Sequence, residues 1–279
     1  MKILGAGDNV VDRYRRLGLL FPGGNAVNVA VFASRLGARA AYMGVLGDDA
    51  AGRHVLAALR AEGVDTTWVT TAHGHNAYAD VDIVGTDRVF LGSDRSVQPF
   101  DPTPAQLDAM AEFDAVHSGY AGSLWPYVAQ MAGRTKVSFD FGSRFDVDAV
   151  LPDLQYLYLA AFSASHLSAE GAEALVARAL DAGATYVVAT RGGEGAYVGT
   201  PGGILFQDAE YVTVRDTLGA GDAFIASVLV GLLSNRDVRA TCAAASAHAA
   251  QVCLEHGAFG HPLPHSPSDP ASDSKVVSS

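Results

Sequence analysis

Short runs of β-branched and aliphatic residues alternate along the chain with longer Ala- and Leu-rich stretches that carry a helical period. The runs Lys2 to Gly5, Ala41 to Val45, Ala115 to His117, Val137 to Phe141, Tyr156 to Ala160, Tyr186 to Ala189 and Ala196 to Val198 predict strands. Between them, Ala26 to Leu36, Ala51 to Ala61, Gly171 to Ala182 and Ala220 to Leu233 predict helices. Such alternation is the pattern of an α/β domain built on a mainly parallel sheet. Three helix-to-strand junctions, Leu36-Gly37-Ala38, Glu62-Gly63-Val64 and Ala182-Gly183-Ala184, place a glycine where a helix C-cap is expected.

Two segments depart from this rhythm. From Asn76 to Leu91, polar and apolar residues alternate on either side of Gly85-Thr86-Asp87, which predicts an antiparallel hairpin. It is either a lid over the carboxyl edge of the sheet or an edge hairpin. From Pro264 the chain is rich in Ser, Pro and Asp without periodicity, so residues 264–279 are expected to be a disordered tail behind a folded domain of residues 1–263.

Composition narrows the function classes. With 49% hydrophobic and 18% charged residues among 279, the chain can bury one large core. Lys and Arg number 19 against 30 Asp and Glu, a net charge of −11. An acidic chain without a basic block is repelled by a phosphate backbone, so no nucleic-acid partner is expected. Only Lys2, Lys136 and Lys275 are lysines, so chemistry that needs a lysine has few candidates. No run approaches the roughly 18 apolar residues of a membrane span, and the N-terminus lacks a signal-peptide pattern. No membrane partner is expected, and the expected location is the cytoplasm. Cys242 and Cys253 lie on one helical stretch, about 16 Å apart at ~1.5 Å per residue. That exceeds the roughly 7 Å a disulfide spans, so both are expected as free, buried thiols.

The most informative stretch is Asp216-Thr217-Leu218-Gly219-Ala220-Gly221-Asp222-Ala223-Phe224. A β-rich run ends in a Gly-Ala-Gly turn that opens a helix. Free backbone amides there, added to the positive end of the helix dipole, make an anion site without side-chain cations. Asp222, in the first helical turn, is placed to orient and deprotonate a hydroxyl attacking a phosphoryl group. A bare Gly-Ala-Gly-Asp is nonetheless more often a tight turn followed by a helix N-terminal acid.

Gly23-Gly24-Asn25-Ala26-Val27-Asn28 opens another helix, where paired glycines admit a ligand to the backbone and Asn28 can both donate to and accept from hydroxyls. Asp8 and Asp12 follow the first strand at a spacing that could put two carboxylates at its end, where they can hold sugar hydroxyls, bind a metal or cap turns. Thr190-Arg191-Gly192-Gly193-Glu194-Gly195 ends a strand in a glycine-rich turn that suits a nucleotide. Dinucleotide, Walker A and Gly-x-Ser-x-Gly patterns are all missing. His73 and His75 lack further ligands in sequence, and an exposed loop is their expected setting.

In this order the motifs resemble those of the ribokinase-like carbohydrate kinases of the phosphofructokinase-B type. The likeness runs from Asp12 through Gly23 to Asn28 and Gly47-Asp48-Asp49 to the stretch from Asp216 to Asp222. It implies a three-layer α/β/α domain with a mainly parallel central sheet and a small β lid, the hairpin at about 76–91 included. It also implies ATP as phosphoryl donor and Mg²⁺ carried with it, Asp222 as base and Gly219, Ala220 and Gly221 as anion hole. Asp12, Gly23, Gly24 and Asn28 match sugar ligands, with Asp8 and Arg88 as further contributors. Thr190, Gly192, Gly195, Gly221, Ser246 and Gly257 match the nucleotide site, Arg191 standing where the family usually has Leu.

A K⁺ loop near Asp216 and a homodimer through the lid are further implications. Within the family, Gly7 to Asp12, Asp87-Arg88-Val89-Phe90, Asp140-Phe141 and His256-Gly257-Ala258-Phe259 most resemble kinases of fructosamines such as fructoselysine. Ribose, fructose, a nucleoside or a keto-sugar acid are alternative acceptors, and a non-catalytic sugar sensor is a further one. The family's Asn-x-x-Glu motif is missing from the aligned stretch Ser163 to Ser168.

Overall fold

Ile3 and Leu4 are neighbours in sequence, both completely buried, and they belong to different apolar cores. A strand covered on both faces requires this, because successive side chains point to opposite sides. Ala40 and Ala41, and Tyr42 and Met43, divide in the same way. The computed structural model describes residues 1–84, 87–143 and 145–265, with backbone alone for 83, 84 and 87–90.

In chain order, β1 (Lys2–Ala6) is followed by β2 (Val10–Tyr14), β3 (Leu19–Gly23), α1 (Asn25–Arg35), β4 (Arg39–Gly47), α2 (Ala50–Ala61) and β5 (Asp65–Ala72). Next come β6 (Tyr78–Val84), β7 (Asp87–Asp94), α3 (Pro104–Ala109), β8 (Ala115–Gly119), α4 (Val128–Ala132), β9 (Lys136–Asp140), α5 (Val147–Val150) and β10 (Leu159–Ser163). The order closes with α6 (Ala169–Asp181), β11 (Tyr186–Thr190), β12 (Ala196–Thr200), β13 (Gly203–Gln207), α7 (Ala220–Leu233), α8 (Val238–Val252) and β14 (Leu263–Pro264).

Nine strands form the large sheet in the order β13-β12-β11-β10-β9-β8-β1-β4-β5. It is parallel except at β12 and β13, which pair antiparallel at one edge. One face is covered by α1, α2, α7 and α8, with Phe32, Leu59, Leu229 and Cys242 packed over Ile3 and Tyr42. The other face is covered by α3, α4 and α6, with Leu107, Met131 and Leu175 over Leu4, Met43 and Phe139. The three layers are those expected, and both cysteines are free and buried.

The lid is larger than its hairpin. Five strands in the order β14-β3-β2-β6-β7 make a second sheet, in which β6 and β7 pair antiparallel as expected. Its centre is pinned by a buried charge pair in which Arg13 grips Asp80 through Nε and Nη2 at 2.7 and 2.8 Å. The Arg13 guanidinium also lies 3.3 Å from the centre of the Tyr78 ring. The Gly85-Thr86 turn lies outside the described residues.

Two boundaries differ from the sequence expectation. The strand expected at Tyr156 to Ala160 is Leu159–Ser163, because Leu151–Tyr156, with Pro152 near its start, winds as a 3-10 turn. At the C-terminus, Leu263 and Pro264 pair with Leu20 and Leu19, and the His265 amide donates to the Gly18 carbonyl at 2.8 Å. The lid therefore holds Pro264 and His265, which were expected in the tail; residues 266–279 lie outside the described residues.

Strand order reverses between β1 and β8. In open α/β sheets the crevice beyond the carboxyl ends at such a switch point is where ligands bind. The lid strands β2 and β3 leave β1 and return to α1 at that point.

Candidate active site

The α1 N-terminus lines one side of the crevice. Gly24 precedes it at φ 106, a left-handed conformation that disfavours a side chain, and a Cβ there would lie 2.6 Å from Asn9 Cα. A glycine cannot cap the helix with a side chain. Asp8, at the end of β1, does so instead: its carboxylate accepts from the amides of Asn25 at 2.8 Å and Ala26 at 3.2 Å. Burial raises the Asp8 carboxyl above its ordinary range, while those amides and the Arg95 charge pull against the rise. Its partners are those of a helix cap, the structural one of the sequence alternatives.

Asp12 does not share the end of β1 with Asp8. It sits in lid strand β2, opposite Phe21 of β3, and its Oδ2 lies 2.7 Å from where a Gly23 Cβ would stand. Gly23 is thus the residue that leaves room for the Asp12 carboxylate. Asn28, one turn into α1, is 2% exposed, and its Oδ1 is buried with no hydrogen-bond partner among the described residues. A buried acceptor left open in this way fits a hydroxyl donor from a ligand.

Facing α1 is the N-terminus of α7. Gly219 has φ 78, and a Cβ there would meet the Ala258 Cβ at 2.5 Å. At Gly221, by contrast, a Cβ would find nothing within 4 Å, so the turn presents bare backbone to open space. That cradle fits a phosphate group. Asp222 joins the two helices: its Oδ1 accepts from Asn25 Nδ2 at 2.8 Å and its Oδ2 from Asn28 Nδ2 at 2.6 Å.

A second carboxylate shares Asn25. Asp140, ending β9, accepts from Asn25 Nδ2 at 3.0 Å through Oδ2 and from the Gly142 amide at 2.8 Å through Oδ1. Burial above all, then the nearby Asp222, pushes the Asp140 carboxyl up to about 7, with a smaller upward push from Asp8. Behind Asn25, His117 on β8 is fully buried, with Nε2 2.9 Å from Asn25 Oδ1 and Nδ1 2.8 Å from Ser138 Oγ. Burial pushes this imidazole down to about 3, so it is neutral at physiological pH.

Asp216 lies just upstream of the Gly-Ala-Gly turn. Its buried carboxylate accepts from the Tyr14 hydroxyl of lid strand β2, from the Gly257 amide at 3.0 Å and from the Leu218 amide at 3.0 Å. These donors tie the lid to the turn, and His256 Nδ1 lies 3.9 Å from the same carboxylate. Among the described residues no group of three or more His, Cys, Asp or Glu could hold a metal ion.

The expected nucleotide residues are dispersed. Thr190 ends β11 and donates to the Phe162 carbonyl at 3.4 Å, with Gly192 and Gly195 turning the chain at φ 58 and 99. Ser246 on α8 instead clamps the segment after β13, donating to the Asp208 carbonyl and accepting from the Glu210 amide, each at 2.9 Å. Gly257 packs under the lid, where a Cβ would meet the Phe21 ring at 2.5 Å. The Arg88 side chain lies outside the described residues. His73 is exposed and bonds to Asp48, as its loop setting implied.

Sequence reasoning passed over Asn25, His117, Ser138 and Asp140 as a group. Asn25 stood inside a motif whose other asparagine drew the attention. His117 and Ser138 become neighbours only through the parallel register of β8 and β9, where His117 is opposite Ser138 and Gly119 opposite Asp140.

Two glycine-bracketed helix N-termini and an acid bridging them lie beside a β lid at the switch point of a three-layer domain of the ribokinase-like fold. Solved structures share that fold: an Arabidopsis thaliana ribokinase complexed with ribose and ATP superposes at TM-score 0.77, with 18% identity, covering 95% of both chains. An uncharacterized sugar kinase from Pyrococcus horikoshii gives the same TM-score at 23% identity, covering 93% of this chain and 94% of that one.

The chain belongs to the pfkB family of carbohydrate kinases, whose pattern matches residues 18–265, and it is an ATP-dependent carbohydrate kinase. It is 35% identical to the fructosamine kinase of Bacillus subtilis over 99% of both chains. It is also 34% identical to the fructoselysine 6-kinase of Escherichia coli, over 91% of this chain and 97% of that one.

Proposed function

We propose that the chain transfers the γ-phosphoryl group of ATP to the 6-hydroxyl of fructoselysine or a related fructosamine. The observation that carries this reading is Asp222, in the first turn of α7, held by Asn25 and Asn28 beside the open Gly221 backbone. Asp222 accepts the proton of the attacking hydroxyl. The amides of the turn, with the positive end of α7, stabilise charge that builds on the transferred group. Asp12 and the open Oδ1 of Asn28 fix the acceptor, so that attack is in line. Mg²⁺ bound with the nucleotide supplies charge neutralisation between its terminal phosphates. Thr190 with the Gly192 to Gly195 turn is the proposed seat of the nucleotide.

The choice of acceptor rests on the two relatives named for fructosamine and fructoselysine, each matched over most of the chain. A short β2–β3 connection, residues 15–18, favours an open substrate end that suits a sugar bearing an amino-acid tail. A cytoplasmic location and a homodimer through the lid belong to the same proposal. A coupled ADP-release assay over fructoselysine, fructose, ribose, a nucleoside and a keto-sugar acid tests the acceptor. Turnover fastest on fructoselysine is the expected outcome; faster turnover on an unmodified sugar would replace it.

A further inference from the structure

The Asn25 side chain has one amide group and three polar neighbours. Its Nδ2 is 2.8 Å from Asp222 and 3.0 Å from Asp140, and its Oδ1 is 2.9 Å from His117 Nε2. An amide turned the other way would present its carbonyl oxygen to two carboxyl groups. The orientation therefore decides whether Asp222 receives a donor or faces a repelling acceptor. Asn25 cannot choose by itself, since both ends of the amide have the same shape.

His117, protonated on Nε2, holds the orientation that the two carboxyl groups favour, and Ser138 supports that tautomer. A neutral imidazole carries one N–H. If Ser138 donates its hydroxyl hydrogen to Nδ1, the proton must stand on Nε2, which then donates to Asn25 Oδ1. The chain of donors runs Ser138 to His117 to Asn25, ending on Asp222 and Asp140. Its inner end is buried, with Ser138 and His117 0% exposed, while Asn25, Asp140 and Asp222 are half-buried.

We propose that His117, in the tautomer protonated on Nε2 and supported by Ser138, is a positioning residue for phosphoryl transfer, locking the Asn25 amide so that its N–H groups hold the Asp222 carboxylate toward the acceptor hydroxyl. This rests on the kinase reading of Asp222. It adds to that reading a reason for a buried, uncharged histidine behind the reacting groups. The charged and titratable groups around the amide are Asp8 from the end of β1, Asp140 from β9, Asp222 from α7 and His117 from β8, with Asp12 across Gly23 on β2. Three of the acids crowd toward Asn25, so a flipped amide would disfavour the charge on Asp222.

Two measurements test this. The first is independent of activity: ¹⁵N spectra of the histidine rings in the wild-type protein. Nε2 protonated and Nδ1 bare at every pH from 5 to 8 is expected, in line with a ring pushed down to about 3. A His117 ring protonated on Nδ1, or one that titrates in that range, overturns the proposal.

The second compares His117→Leu with His117→Gln, whose side-chain amide can reach Asn25 Oδ1 as Nε2 does. In His117→Leu, kcat should fall by about tenfold or more, with the sugar KM moving by less than about threefold. The acid limb of its kcat profile should also move up by roughly one pH unit, because Asp222 loses a donor. His117→Gln should recover most of the kcat and return the acid limb. Equal losses in both variants, or a normal kcat in His117→Leu, would overturn the positioning role. A wild-type protein inactive over the whole substrate panel would instead remove the kinase reading while leaving the tautomer measurement to stand.

Discussion

Asp140→Asn isolates the buried carboxyl that the fold holds nearly neutral. Asp140 titrates at about 7 in the folded protein against an ordinary 3.8, because burial and the nearby Asp222 disfavour its charge. Between those values the unfolded chain has lost the proton and the folded chain keeps it, so this group makes stability fall as pH rises. The slope is about 1.4 kcal/mol per pH unit, and over roughly three units the loss reaches about 4 kcal/mol.

His117 works in the opposite sense. Pushed down to about 3, it must stay neutral in the fold, and its contribution is lost as pH falls from 6.5 toward 3. From about pH 4 to 6.5 the two terms nearly cancel in the wild type, which hides both. Asparagine at 140 keeps the shape and removes one term. Urea unfolding of wild type and Asp140→Asn at pH 4, 5, 6 and 7 should show the variant gaining on the wild type by up to about 4 kcal/mol across the series. A difference constant within about 0.5 kcal/mol would show that Asp140 is not held protonated, and would refute the reasoning.

Other outcomes follow from the same contacts. Gly219→Ala places a methyl 2.5 Å from the Ala258 Cβ at φ 78; thermal unfolding should register a loss of about 1–3 kcal/mol, with a raised KM for ATP. Asp80→Asn leaves the 3%-exposed Arg13 without its full counter-charge, and chemical denaturation should show a loss of about 3–5 kcal/mol. Replacing K⁺ by choline should leave kcat within about twofold, because the Asp216 carboxylate already accepts from Tyr14, Gly257 and Leu218; a collapse of kcat would show a cation at that loop.

The layered fold was legible because its signals are local. The short apolar run of β1, the longer Ala- and Val-rich run of α1 and the glycines after α1, α2 and α6 each act within a few residues. β10 was misplaced by three because Tyr156, Leu157 and Tyr158 are as apolar as a strand, and a short run does not say where a 3-10 turn ends. The full lid was hidden for another reason. β2 pairs with β3 across residues 15–18 but joins the hairpin only through the distant β6, and β14 returns from the far end of the domain to pair with β3.

The site divides along the same line. Asp222, Gly219 and Asn28 were legible because each sits at the opening of a helix marked by glycines. Asp8 was ambiguous until the capping defect at Gly24 appeared, since a cap supplied from another element leaves no trace at the helix it caps. His117, Ser138 and Asp140 are set by sheet register and by burial, and neither is encoded in any short window.

The most direct measurement is ADP release from wild type and Asp222→Asn with fructoselysine as acceptor, alongside fructoselysine binding by calorimetry. The expected result is turnover by the wild type, a loss of at least about 10²-fold in kcat for Asp222→Asn, and nearly unchanged binding. Near-normal turnover in Asp222→Asn would contradict the central role given to that carboxylate.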